Sequence, residues 1–276
     1  MVLEKYHARM AAFSANAEAL ANMSLRQPVL QGDDVRFSER TGAFWGGVAA
    51  QTNLGGKIFS GFAKTGNRRE ATTELYMGLT ATLLGAPSTP YLLLENCAAS
   101  DNERRPHQID TIRLFSVPAF DDYTIVRAPD FKGGDPVSLG ALVQHRIFIS
   151  SRDGYALNIA RGAQGPFASL DHEDSFPQNG AVDAFARKND LPPDRNRSLL
   201  AEAWKGLESE AERQAFIAGA DEMAARIYQS PDALLDDPAA LMATHGWEVQ
   251  PEIVDGLKAR RNLFRRGAKL PRNARL

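Results

Sequence analysis

Within residues 3–23, Met10, Phe13, Ala17 and Leu20 recur at helical spacing and predict a short amphipathic helix packed on the rest of the chain. The opposite face is not basic, which favours a core-packing arm over a membrane-surface helix. From Gly42 the texture changes. Gly42, Gly46, Gly47, Gly55 and Gly56 interrupt Phe44, Trp45, Val48, Ile58, Phe59 and Phe62, as short strands with tight turns would, so a glycine-punctuated antiparallel sheet is expected. A well-marked helix follows. Asn67 offers an N-cap, Ala71, Leu75, Leu79 and Leu83 repeat at four-residue intervals, and Gly85 with Pro87 stops it.

Residues 91–95 read as a compact apolar strand and 99–108 as a surface loop, with strands resuming at 111–115 and 123–126. Residues 139–149 are helix-like. Two apolar runs, 157–160 and 167–170, are separated by Gly162, Gln164, Gly165 and Pro166, the signature of a hairpin. Beyond Pro177 the chain turns helical, with helices expected at 199–207, 210–228 and 251–264, joined by turns at Pro192, Pro231, Pro238 and Pro251. A strand-rich first half with one long helix, followed by a helical second half, is an α+β arrangement of two lobes meeting between about residues 96 and 135. The expected organisation is a helical arm over 1–40, a first lobe over 41–110 and a second lobe over 111–276.

Composition narrows the function classes. With 43% apolar and 24% charged residues, the chain can bury an ordinary globular core. The net charge of -2 and pI near 6.2 provide no general footprint for nucleic acid or an anionic membrane, so direct nucleic-acid binding is not expected. Cys97 is the only cysteine, which excludes an intrachain disulfide and a thiolate metal cluster. No stretch approaches the roughly 20 apolar residues that span a bilayer, and Glu4, Lys5 and Arg9 precede any apolar run, so a cytoplasmic location is expected. Arg260, Arg261, Arg265, Arg266, Lys269, Arg272 and Arg275 form a local basic run, either a solvated helix end and tail or a contact for an acidic protein partner or nucleic acid.

The chemistry concentrates between Asp153 and Asp171. Phosphoryl transfer needs a group that orients the nucleophile and oxygen ligands for a Mg²⁺ bridging the phosphates. Protein kinases supply an Asp, an Asn five residues later and a second Asp beyond a hairpin. Asp153, Asn158 and Asp171 have that order, although Asp153-Gly154 alone reads equally as a turn and Asp171 as a helix cap. Upstream, Lys64 ends a strand, and the following helix carries Glu70 and Glu74. A kinase uses such a pair, the lysine on the α and β phosphates and the glutamate fixing the lysine. Lys57 is the second lysine candidate. Glu74 is preferred over Glu70, one turn earlier on the same face, though spacing alone does not separate them. The segment 52–58, with Gly55 and Gly56, is a candidate phosphate-covering turn or a plain hairpin turn. His145, His172, Glu173 and Asp174 do not assemble the convergent ligands that a zinc site needs.

Phe62-Ala-Lys64, the helix end Leu83-Leu-Gly-Ala-Pro87, the loop 152–158 and the segment Leu170-Asp-His-Glu-Asp-Ser-Phe-Pro177 resemble the HipA-like serine/threonine kinases and, more distantly, the phosphatidylinositol 3- and 4-kinases. Residues 253–261 are similar to the terminal helix of HipA-like domains, and the resemblance spans roughly residues 42–264. Departures are Ser151-Arg-Asp153 where a His-Arg-Asp would stand, and Asp171-His-Glu where Asp-Phe-Gly would. The resemblance implies a two-lobed protein-kinase-like fold that uses ATP and Mg²⁺, with a protein or small-molecule hydroxyl as acceptor. It implies Lys64 for phosphate contact, Asp153 as the catalytic aspartate, and Asn158 with Asp171 as Mg²⁺ ligands. A lipid or small-molecule kinase and a non-catalytic binding module are the alternatives.

Overall fold

A computed structural model describes residues 13–31, 35–37, 47–54, 56–65, 67–97, 111–126, 131–149, 158–170, 172 and 194–265. The first sheet has six strands in the order β1-β5-β6-β4-β3-β2. These are β1 (Val29–Gln31), β2 (Val35–Phe37), β3 (Gly47–Leu54), β4 (Lys57–Thr65), β5 (Tyr91–Cys97) and β6 (Thr111–Ser116). Helix α1 (Ala15–Ser24) precedes it, and α2 (Arg68–Leu84) runs between β4 and β5. A second sheet joins β7 (Tyr123–Ile125), β8 (Ile159–Gly162) and β9 (Phe167–Ser169) in that order. The remaining described helices are α3 (Pro136–Phe148), α4 (Asp194–Gly206), α5 (Glu210–Gln229), α6 (Ala233–Thr244) and α7 (Pro251–Arg265). This is the mixed α+β arrangement the sequence predicts, a sheet with one long helix followed by a mostly helical second half.

The main sheet differs from expectation in one respect: it is mixed. β1 pairs in parallel with β5, Val29 against Leu93, while the other strands are antiparallel. Leu20 of α1 packs with Leu92, Leu94 and Phe115 on the sheet face away from α2, and the chain leaving α1 is thereby laid alongside β5. The sheet draws strands from all three segments expected as arm, first lobe and second lobe, since β1 lies before residue 40 and β6 after residue 110.

Strand pleating sorts the side chains. Phe59 and Ala63 of β4 face the α1 side, so Lys64, one residue on, takes the α2 side, and its register partner Leu114 lies in the cluster around α2. Residues 91–94 are buried on both faces, which explains an unbroken apolar run instead of an alternating one. Helix α2 is buried through every residue from Ala71 to Ala81, pressed between the sheet and the second lobe. Its ends follow the sequence rules: Asn67 and Glu70 form a reciprocal capping box, and Gly85 closes the helix in the left-handed region at φ 64°.

The second lobe corrects two expectations. Pro238 is inside α6, not in a turn. It lacks the N–H an interior position would use, but Leu234, Leu235, Pro238 and Met242 share the buried face, and that packing keeps the helix whole. Arg260 and Arg261 do not contribute to a basic surface patch, being only 5% exposed. Arg260 donates to the terminal carbonyls of α3, Ile147 O at 2.5 Å and Phe148 O at 2.7 Å. Arg261 donates to Ser230 O and to the Asp232 carboxylate. The two guanidiniums satisfy helix-end carbonyls that would otherwise be buried bare.

Helices α3 and α5 cross with their backbones nearly touching. A Cβ at Gly140 would lie 2.0 Å from Phe216 O, and one at Gly219 would lie 2.0 Å from Val137 O. Only glycine fits at either position without spreading the helices. Gly219→Ala is expected to lower unfolding free energy by roughly 1–3 kcal/mol, read as a fall in the urea midpoint at unchanged m-value.

Candidate functional site

Lys64 reaches across from the end of β4 to Glu74 on the second turn of α2, Nζ to Oε2 2.5 Å. Glu74 is sealed, its side chain 1% exposed, whereas Lys64 keeps 21%. Glu70 is engaged elsewhere, its carboxylate accepting from the Asn67 backbone N–H in the capping box. The Asn67-x-x-Glu70 spacing is a capping signal that separates the two glutamates from sequence alone.

The structure does not bring the other phosphate-side candidates to Lys64. Lys64 pairs in register with Gly47, while Lys57 pairs with Leu54 at the far end of the same hairpin, roughly 20 Å along the strand. Gly56, at φ 83°, stands in the turn that brings Leu54 into register with Lys57. Lys57 lies over the Phe59 ring at 5.1 Å. Gly55, Asp153 and Asp171 lie outside the described residues.

Asn158 and the neighbours of Asp171 come together at the base of the β8–β9 hairpin, where Leu170 N–H donates to Asn158 O at 2.8 Å. That hairpin is stitched to the segment after α2. Ser169 N–H donates to Pro87 O and Thr89 N–H donates to Ser169 O, both at 2.9 Å. The Tyr91 hydroxyl donates to Leu170 O, and the buried Arg146 donates from Nη1 to Ser169 Oγ at 2.6 Å. His172 Nε2 pairs with Ser88 Oγ at 2.6 Å. Its ring stands edge-on to Tyr91 and to His145, with centroids 6.0 and 5.8 Å apart.

Both histidines are held neutral. Burial, and then the Arg146 charge, push His145 down to about 3. Burial pushes His172 well below its usual range, with His145, Arg146 and Lys64 adding to the effect. Among the described residues no group of three or more His, Cys, Asp or Glu side chains could hold a metal ion. Ser88, Tyr91, Arg146 and Ser169 gave no separate signal in the sequence. Tyr91 begins an apolar strand, Arg146 is inside an apolar helix, Ser88 stands in a short connection and Ser169 ends a three-residue strand.

No family model matches the chain, and no curated protein matches it. Among solved structures it is similar to a Helicobacter pylori proinflammatory kinase, CtkA, at 10% identity and a TM-score of 0.46, with 87% of this chain and 95% of that chain covered. A similarity of that size fixes neither residues nor chemistry. No helix among the described residues is long and apolar enough to cross a membrane.

Removing one member of a buried ion pair strands the other charge. Lys64→Met is expected to destabilise by about 3–5 kcal/mol, and adding Glu74→Met in the same chain is expected to recover most of that loss in urea unfolding. Acid tells on the histidines. His145 binds a proton at an ordinary 6.5 when unfolded but only near 3 when folded, so between those values the unfolded chain holds the extra proton. Stability is therefore complete above pH 6.5 and falls as pH drops, by up to about 1.4 kcal/mol per pH unit for this one group. His145→Gln is expected to flatten the pH dependence of the unfolding free energy between pH 4 and 6.5.

Proposed function

We propose that the chain is a phosphotransferase of the kinase class, moving the γ-phosphate of ATP to a hydroxyl acceptor in the manner of the HipA-like serine/threonine kinases. The observation that carries this is the Lys64–Glu74 pair. A strand lysine held at 2.5 Å by a sealed helix carboxylate, its own side chain 21% exposed, has a fixed direction, as a phosphate-binding cation requires.

Lys64 would hold the α and β phosphates, and Glu74 would keep its amine aimed at them. Asn158, at the foot of the hairpin, and Asp171, after Leu170, would be the oxygen ligands of Mg²⁺. Bound Mg²⁺ would supply charge neutralisation on the phosphate oxygens. Asp153 would orient the acceptor hydroxyl and take its proton as the acceptor oxygen bonds to the γ-phosphorus and the bond to the bridging oxygen breaks, ADP leaving with the electron pair.

The test joins calorimetry of ATP binding, with and without Mg²⁺, to intact-mass detection of phosphate transferred to the protein or to serine and threonine peptides. Asp171→Ala is expected to abolish the Mg²⁺ dependence of binding. Asp153→Ala is expected to bind ATP normally and to lose transfer by a factor on the order of 10²–10⁴. Wild-type protein that binds no ATP under either condition would overturn the assignment in favour of a binding module, and transfer confined to lipid or small-molecule hydroxyls would replace the protein-kinase subclass.

A further inference from the structure

Helices α3 and α5, the residues just after α2 and the turn of the β8–β9 hairpin surround a cavity of about 210 Å³. Lys64, Glu74 and Asn158 do not line it, and the hairpin turn is at the end opposite Asn158 and Leu170. The walls are tied to one another on three sides. The backbones of α3 and α5 already meet at Val137 and Gly219, so the helices cannot move together to fill the space. At the start of α3, Asp135 N–H donates to Gly165 O at 2.8 Å and Phe167 N–H donates to Ser138 Oγ at 3.0 Å. Arg226 of α5 donates from Nη1 to Gly85 O at 3.0 Å, on the residue that ends α2. Phe13 supplies a fourth side, its ring edge-on to Phe120 with centroids 5.9 Å apart. Walls fixed in this way make a preformed pocket, and a ligand entering it has little protein to order.

We propose that this cavity binds a small uncharged molecule, an apolar body of about ring size carrying a carbonyl acceptor, with Arg226 as the donor. Size comes first. An apolar cavity of about 150 Å³ holds benzene, so this one admits a ring and a few further atoms. Its lining includes Ala86, Phe167 and Met223, each no more than 2% exposed, which suits an apolar body. Val137 and Glu222, 40% and 51% exposed, stand where the cavity meets solvent.

The polar groups of the lining select the rest. A guanidinium has five N–H groups. Arg226 uses one on Gly85 O and one on Glu222 Oε1 at 2.5 Å, while its Nε is buried without a partner. The side chain keeps 21% of its surface exposed, so an acceptor in the cavity can take a remaining Nη N–H. Charge works against ions. Glu222 already balances Arg226, and Asp135, which caps α3 through the N–H groups of Val137 and Ser138, adds a second carboxylate. An anion would therefore meet net negative charge, and a cation would have to draw Glu222 away from its guanidinium partner. A neutral carbonyl accepts from Arg226 and leaves both arrangements in place.

The experiment titrates the full, isotope-labelled chain with N-methylbenzamide, a ring bearing a neutral amide, and follows the backbone amide resonances of Gly85 and Gly219 by NMR. Benzoate, benzylammonium and toluene are titrated alongside. N-methylbenzamide is expected to give saturable shifts at both glycines, with a dissociation constant on the order of 1 mM, and the two ions to bind about tenfold more weakly or not at all. Val137→Phe places a ring at the mouth from an exposed position and is expected to abolish the shifts at an unchanged melting temperature. Arg226→Met is expected to weaken the amide by roughly three- to tenfold and to leave the affinity for toluene as it was. The proposal is overturned if N-methylbenzamide gives no saturable shift, if Val137→Phe leaves its binding intact, or if either ion binds as well as the amide. Equal weakening of the amide and toluene by Arg226→Met also overturns it, since that is the behaviour of a collapsed cavity and not of a lost hydrogen bond.

Discussion

A carboxylate placed in the middle of a helix that is covered on both sides has to be answered by a cation, because an uncompensated buried charge costs several kcal/mol. Glu74 is that carboxylate and Lys64 the answer. For Lys64 to arrive, β4 has to present its even-numbered positions toward α2, and α2 has to be turned so that Glu74 faces the sheet. The register of β4 against β3 and β6 and the rotation of α2 about its axis are thus tied to one another by a single ion pair. The apolar alternation on β4 and the helical repeat of α2 agree with the same solution. That agreement is the mark of a sequence whose local and long-range preferences do not compete.

The seam between the lobes follows a second rule, that buried polar groups occur where backbone bonds alone do not finish the joint. Arg146, Ser169, His172, Ser88 and Tyr91 gather where the β8–β9 hairpin meets the segment after α2. An apolar seam would slide more readily. A hydrogen-bonded one has a preferred register, and register is what a site built from both lobes requires. Arg260 and Arg261 follow the same rule elsewhere, tying α7 to the ends of α3 and α5.

Much of this was legible in the residues themselves. The caps of α2, the hairpin turns and the apolar repeats of α3, α5 and α7 are local signals, and local signals survive in a single sequence. The parallel strand β1 was not visible, since three residues are too few to carry a period. Helix α6 was hidden by Pro238, whose cost is offset by packing that only the tertiary structure reveals. The basic run at the end of the chain looked continuous because a sequence does not distinguish an arginine facing water from one folded under a helix end. Lys57 and Gly56 looked like companions of Lys64 because they are near it in the chain. Lys57 begins β4 and Lys64 lies near its other end, and separation along an extended strand is distance in space. Glu70 and Glu74 were separable in principle, by the capping box that claims the first.

Helix α2 takes its outer cover from the last part of the chain. The Tyr76 hydroxyl donates to Leu235 O, 159 positions away, and Arg68 donates to Gly246 O, 178 positions away, with its guanidinium laid over the Trp247 ring at 4.2 Å. During synthesis from the N-terminus, the outer side of α2 therefore stays bare until some 170 further residues have been added, long after the strands it rests on. The helix that would aim the phosphate-side lysine is the last of its lobe to be completed, so a truncated nascent chain holds the pieces of the site without the closure that makes them one.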